Sequence, residues 1–221
     1  MTKALDLSVY LVTDRGFLQG RSLESIVLAA VKGGVGIVQL REKEASSREF
    51  YELALALKQV LAPYRVPLII NDRVDIALAV DADGIHIGHS DLPYAVARSL
   101  LGPDKIIGVS VDCVSDAVEA NLLDVDYIAV SPVFDTTTKT DTAPASGLNG
   151  LAAIRKASRH PCIGIGGIHL SNVEAVINAG AEGVAVVSAI MAAENPTKAA
   201  EAFLSRINHA KQSRAGSIAS Q

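Results

Sequence analysis

Two aspartates, a pair of neighbouring cations and a set of glycines are the residues of this chain whose types and spacing best suit chemistry, and the chemistry is that of phosphate. In Gln39-Leu40-Arg41-Glu42-Lys43, Arg41 offers a guanidinium fork and Lys43 a point charge to an anion. A lone charge run reads as a solvated surface; its place directly after an apolar run favours an anion site. Asn71 and Asp72 close "PLIINDR", and Asp91 lies in "GIHIGHSDL". Singly, each aspartate suits a helix cap, and Asn71 a turn. As a pair they suit one hard cation, because Mg²⁺ takes one or two carboxylates and fills its octahedron with water and substrate phosphate. Ser110 offers a hydroxyl to phosphate or a cap to the segment that follows. His86 reads as a hydrogen-bonded structural histidine, and His89 as a more exposed one with no nucleophile beside it. No Ser/His/Asp or Cys/His arrangement is evident.

The second half of the chain carries a glycine-rich counterpart. Ile165-Gly166-Gly167-Ile168 and Val186-Val187-Ser188-Ala189-Ile190 follow the last two apolar runs. Glycine lets backbone N–H groups approach an anion closely, and a helix N-terminus adds its own. Between the halves lies a long segment, "SPVFDTTTKTDTAPASGLNGL", with three consecutive threonines (Thr136, Thr137, Thr138) and Lys139. These suit a lid over phosphate or a polar surface loop.

The elements that must position these residues alternate regularly. Val9–Thr13, Gly36–Leu40, Pro67–Ile70, Gly84–Ile87, Ile106–Val109, Tyr127–Val130, Cys162–Ile165 and Gly183–Val187 are short, continuous and rich in β-branched residues, as buried parallel strands are. Between them run amphipathic patterns. Leu23, Ile26, Val27, Ala30 and Val31 line one helix face behind a Ser22 cap; Phe50, Leu53, Leu57 and Val60 line another. Ser171 with Glu174 forms a capping box, and Asn195-Pro196 a cap with proline at the first helical position. Eight such units predict an α/β fold, a (β/α)8 TIM barrel in a single domain over residues 1–210, with a polar, flexible tail over 211–221. An open doubly wound sheet is the alternative, and the lack of a GxGxxG after the first strand lowers its dinucleotide-binding form. In such a barrel the strand C-termini carry the chemistry, which is where the polar residues fall.

Composition agrees. The chain has 221 residues, 49% of them hydrophobic but only 4% aromatic, so Ala, Val, Ile and Leu must fill the core. A net charge of −4 argues against a nucleic-acid or membrane surface, so an anionic ligand must be held by local cations, backbone N–H groups or a metal. Cys113 and Cys162 show no metal or disulfide spacing and read as buried, reduced thiols. With no signal peptide or spanning segment in view, the expected location is cytoplasmic. Formation of a homo-oligomer is left open.

Taken in order, "YLVTDR", "VQLREK", "LIINDRVDIALAV", "DGIHIG", "IIGVSV", "SPVF-T-TK-D", "IGGI" and "GVAVVSAI" resemble the thiamine-phosphate synthases over about Val9 to Met191. That resemblance implies a barrel enzyme, a transferase with Mg²⁺ as cofactor. It would join 4-amino-2-methyl-5-hydroxymethylpyrimidine pyrophosphate to 4-methyl-5-(2-phosphooxyethyl)thiazole, giving thiamine phosphate and pyrophosphate. By the same resemblance, Gln39, Arg41, Lys43, Asn71, Ser110 and Lys139 match the pyrimidine pyrophosphate site, with Arg41, Lys43, Lys139 and Ser110 acting in catalysis. Asp72 and Asp91 match the metal ligands, and Thr136, Thr138, Gly167, Val187 and Ser188 the thiazole phosphate site. The chain departs from the family pattern at His89, usually Gln, and at Asp135, usually Pro; Asp135 is expected to face solvent or Lys139. Rival readings are a thiazole tautomerase, which lacks the pyrophosphate and carboxylate set, a sugar-phosphate isomerase or aldolase, for which no acid/base pair or Schiff-base lysine is found, and a non-catalytic sensor of phosphate ligands.

Overall fold

The computed structural model describes residues 5–136 and 144–219. Its strands are β1 (Val9–Val12), β2 (Ile37–Leu40), β3 (Leu68–Asn71), β4 (Gly84–Ile87), β5 (Ile106–Val111), β6 (Tyr127–Val130), β7 (Cys162–Ile165) and β8 (Gly183–Val186). All neighbours pair in parallel, and β1 pairs with both β2 and β8, so the sheet closes into a barrel in sequence order. The expected barrel is therefore the observed one. Strand β3 starts one residue later than its apolar run, because Pro67 has no N–H for the ladder. Its carbonyl still accepts from the Val38 N–H at 3.1 Å, and Asn71 pairs in register with His86.

The helices are α1 (Leu23–Lys32), α2 (Ser47–Leu61), α3 (Val74–Val80), α4 (Tyr94–Leu101), α5 (Val114–Ala120), α6 (Gly147–Ala157), α7 (Val173–Asn178), the short α8 (Ser188–Met191) and α9 (Pro196–Ala219). Ser22 caps α1 by accepting from the Ser25 N–H, and Asn195 accepts from the Lys198 N–H at the start of α9. The box expected at Ser171 does not form. The Ser171 hydroxyl pairs with His169 Nδ1, and Asn172 is the cap residue of α7, its Oδ1 taking the His169 N–H. Helix α2 buries Phe50, Ala54, Leu57 and Leu61, so its inward face is rotated slightly from the expected one and Leu53 and Val60 flank it.

Two apolar layers result from the strand pleat. Outward-facing side chains such as Val9, Leu11, Val38 and Leu40 pack against the helices, while Tyr10, Val12, Ile37, Ile69, Tyr127, Ala129, Ile163 and Ala185 fill the barrel interior. Gly108 faces that interior. A β-carbon there would fall inside the Tyr127 ring, so the missing side chain makes room for the phenol.

The segment from residue 211, expected as a flexible tail, continues α9 to Ala219. Lys211 Nζ donates to Ser8 Oγ at 2.9 Å and Arg214 Nη1 to the Ile177 carbonyl at 2.7 Å, tying the helix to the barrel's rear and to α7. Polar composition misses these ties because both use the ends of long side chains. Among the described residues, no helix is long and apolar enough to cross a membrane.

Candidate active site

A cavity of about 1150 Å³ opens at the C-terminal ends of the strands. Gln39, Arg41, Lys43, Asn71, Asp72, Asp91, Ser110, Thr136, Gly167, Val187 and Ser188 all line it. Thr138 and Lys139 lie outside the described residues. The sequence-derived set thus meets at one mouth as far as it is described.

On the first side, the turn after β3 holds Asp72 in the left-handed region at φ 63°, a conformation an aspartate tolerates at some cost. Its backbone N–H is fixed by the His86 carbonyl at 2.9 Å. Its carboxylate does not cap α3; Oδ2 accepts from Lys43 Nζ at 2.6 Å. Asp91 likewise leaves the cap position of α4 to Pro93 and folds back to take the Gly88 N–H at 2.7 Å. Burial pushes the Asp91 carboxyl above its ordinary range and the adjacent Asp72 carboxylate adds to this, against the lowering effect of the Gly88 N–H. Two adjacent hard carboxylates, with Asp91 held above its ordinary range in part by Asp72, are an oxygen donor set that fits Mg²⁺.

The charge run after β2 is split by burial. Glu42 turns inward, where its side chain is 6% exposed and accepts from Arg15 Nε at 2.9 Å; Arg15 also reaches Glu49 at 2.6 Å. Glu42 Oε1 has no hydrogen-bond partner among the described residues, and burial raises its pKa despite Arg15. The Arg15–Glu42 pair anchors the loop, and Arg41 and Lys43 on either side reach the cavity. Further along the rim, His89 Nε2 lies 3.6 Å from Asp112 and 3.3 Å from Asp116. Asp116 is engaged in accepting the Asp112 and Cys113 N–H groups ahead of α5. Cys113, expected to be buried, is exposed because it is the cap residue of that helix; Cys162 is buried as expected.

On the second side, Gly166 and Gly167 adopt φ of 99° and 62°. The loop after β6 crosses them: Val133 and Phe134 donate to the Ile165 and Gly166 carbonyls at 2.8 and 3.1 Å. β-Carbons there would strike Pro132, Phe134 and the Asp135 backbone, so these glycines serve a close crossing as well as a turn. Asp135 itself is exposed. Val187 and Ser188 begin α8, whose first N–H groups have no acceptor within the helix. Asn172 Nδ2 donates to the Gly167 carbonyl at 2.9 Å, and Asn172 and His169 also line the cavity, a contribution the sequence reading missed.

The cavity floor is a buried polar chain. Gln39 Nε2 donates to Tyr10 Oη at 2.8 Å, and Tyr10 Oη and Tyr127 Oη lie 2.8 Å apart. Tyr127 Oη lies 3.1 Å from His86 Nδ1, and His86 Nε2 lies 3.0 Å from Ser110 Oγ. Both phenols are pushed well above their ordinary pKa by burial, so each keeps its proton at neutral pH. The two tyrosines were not legible as site residues, since 117 positions separate them and only barrel closure joins them.

Comparison with known proteins gives a consistent result. A sequence profile described as thiamine monophosphate synthase matches residues 9–190. The thiamine-phosphate synthase of Syntrophomonas wolfei is 57% identical over 190 residues, covering 86% of this chain and 91% of the relative. That of Albidiferax ferrireducens is 53% identical over 194 residues, covering 88% and 89%. Among solved structures, a thiamine phosphate pyrophosphorylase from Pyrococcus furiosus superimposes with a TM-score of 0.85 at 37% identity, over 93% of this chain and 98% of that one.

Proposed function

The chain belongs to the thiamine monophosphate synthase family, and we propose that its barrel mouth carries out the family's reaction with one substrate in each half. The activity is thiamine-phosphate synthesis, a transferase reaction in which 4-amino-2-methyl-5-hydroxymethylpyrimidine pyrophosphate and 4-methyl-5-(2-phosphooxyethyl)thiazole give thiamine phosphate and pyrophosphate. The observation that carries the residue assignment is the convergence of Arg41, Lys43, Asp72 and Asp91 with Gly167, Val187 and Ser188 on one cavity.

In this reading the carbon–oxygen bond to pyrophosphate breaks first, and the thiazole ring nitrogen then forms the new carbon–nitrogen bond to the pyrimidinylmethyl cation. No nucleophilic side chain is needed. Arg41, Lys43, Asn71, Ser110 and Lys139 bind the pyrophosphate and offset the charge that grows on it as it leaves. Asp72 and Asp91 would hold Mg²⁺, which supplies further positive charge to the leaving oxygens when bound. Lys43 begins paired with Asp72, so it is already placed beside the metal carboxylates when the pyrophosphate arrives. Gln39 meets the pyrimidine ring. Thr136, Thr138, Gly167, Val187 and Ser188 hold the thiazole phosphate and set the ring nitrogen in line with the reacting carbon. The free thiols of Cys113 and Cys162 suit a reducing compartment, so the cytoplasm is the location we assign.

The test is direct. Purified protein given both substrates and Mg²⁺ is expected to release pyrophosphate and form thiamine phosphate in equal amounts, with both stopped by a chelator. Tight binding of each substrate with no product would make the chain a sensor.

A further inference from the structure

Gln39 and Ser110 stand at opposite ends of the hydrogen-bonded floor, and in the reading above they meet the two ends of one substrate. Ser110 faces pyrophosphate, while uncharged Gln39 suits the pyrimidine ring. Between them the chain is continuous through Tyr10, Tyr127 and His86. The Tyr127 ring stacks on His86 at 5.6 Å between centroids and meets the edge of Tyr10 at 5.7 Å, so the members are also held by packing.

Proton counting gives such a chain a direction. A phenol carries one proton, and a neutral imidazole has one donor and one acceptor nitrogen. A phosphate oxygen accepts only, so Ser110 bound to pyrophosphate must spend its hydroxyl proton upward. Its oxygen then accepts from His86 Nε2–H, which leaves Nδ1 to accept from Tyr127. Tyr127 in turn accepts from Tyr10, and Tyr10 accepts from the Gln39 amide. The last arrangement matches the observed one, with Gln39 Nε2 donating to Tyr10. The amide oxygen is then left for the ligand, where it can take only a donor, such as an exocyclic amino group. Reversing the chain would aim a Ser110 lone pair at the anion and the Gln39 NH₂ at the ring. A mixed chain would set two donors or two acceptors face to face at a buried junction, leaving both unsatisfied.

We propose that Tyr10, Tyr127 and His86 are positioning residues forming a polarity relay. An anion at Ser110 fixes the direction of every bond in it and so orients the Gln39 amide to select an amino-bearing pyrimidine over its oxo counterpart. The proposal rests on the substrate assignment above but is tested by binding alone, so it stands or falls separately from turnover. The probes are 4-amino-5-hydroxymethyl-2-methylpyrimidine and its 4-oxo counterpart, titrated into the full chain with Mg²⁺, with and without inorganic pyrophosphate.

In the wild type, pyrophosphate should raise affinity for the amino ring about tenfold and leave the oxo ring unimproved. In Tyr127→Phe, which removes one oxygen and keeps the ring, the enhancement should fall below about twofold. Tyr10→Phe should do the same from the other side and serves if Tyr127→Phe fails to fold. Equal enhancement for both rings, none in the wild type, or the same enhancement in folded variants would each overturn the relay. A merely structural role for the tyrosines would lower stability and leave the amino-to-oxo preference where it was.

Discussion

Lys43 and Asp72 show how a residue can be assigned to a site and still be satisfied in its absence. Their 2.6 Å pair neutralises two groups to which the proposed reaction gives separate roles, and both are partly open to water, so exchange of partners costs little. Asp72→Asn keeps the shape and removes one charge. It should lower Mg²⁺-dependent turnover about a hundredfold while thiazole phosphate affinity changes less than about threefold, because the proposed arrangement puts that phosphate in the other half. Comparing steady-state kinetics with thiazole phosphate titrations checks it, and equal losses would contradict the divided mouth. The thiols give a second check at this scale. Burial, with Glu182 adding to it, pushes Cys162 up to about 12, so near pH 8 it stays a thiol and does not react. Alkylation of the native protein, read by mass spectrometry, should mark Cys113 alone, and in denaturant both. At this scale the sequence was informative where charge followed an apolar run, as at Arg41, Lys43, Asp72 and Asp91. It was not where burial decides, since nothing local distinguishes inward Glu42 from its neighbours or exposed Cys113 from a core thiol.

At the scale of elements, all of the strands were legible because a strand covered on both faces must be continuously apolar. Strands β4, β6 and β7 kept their expected ends and the others shifted by a residue or two; at Pro67 ladder chemistry rather than hydropathy sets the boundary. Helix caps were legible where one residue had one role, as at Ser22 and Asn195, and not at Ser171, where two hydrogen-bonding neighbours compete. The β5–β6 pair carries the sharpest expectation here. Gly108→Ala would place a methyl in the Tyr127 ring, forcing the ring or the strands apart. Denaturant unfolding should show a loss of about 1–3 kcal/mol, and the pyrophosphate-dependent selectivity should fall with the displaced phenol. An unchanged midpoint would mean that the interior has slack.

For the molecule as a whole, eight repeated units and a mainly aliphatic core were enough to reach a closed barrel from sequence, whereas contacts that close it were hidden. The last helix is an example. Residues 211–219 read as tail, yet Lys211 and Arg214 fasten them to Ser8 and Ile177. Ending the chain after Ala210 should therefore cost about 1–2 kcal/mol and lower the melting temperature by a few degrees. An identical thermal melt would return the segment to a dispensable tail. The same closure brings the two chemical halves together, which no local reading could do. The central claim, one substrate in each half of one mouth, is tested most directly by a crystal structure with thiamine phosphate, pyrophosphate and Mg²⁺. The account predicts pyrophosphate against Arg41, Lys43 and Ser110 with the metal on Asp72 and Asp91, and the thiazole phosphate at Gly167, Val187 and Ser188. A metal seated on His89, Asp112 and Asp116 instead, or both phosphate groups in the same half, would contradict it.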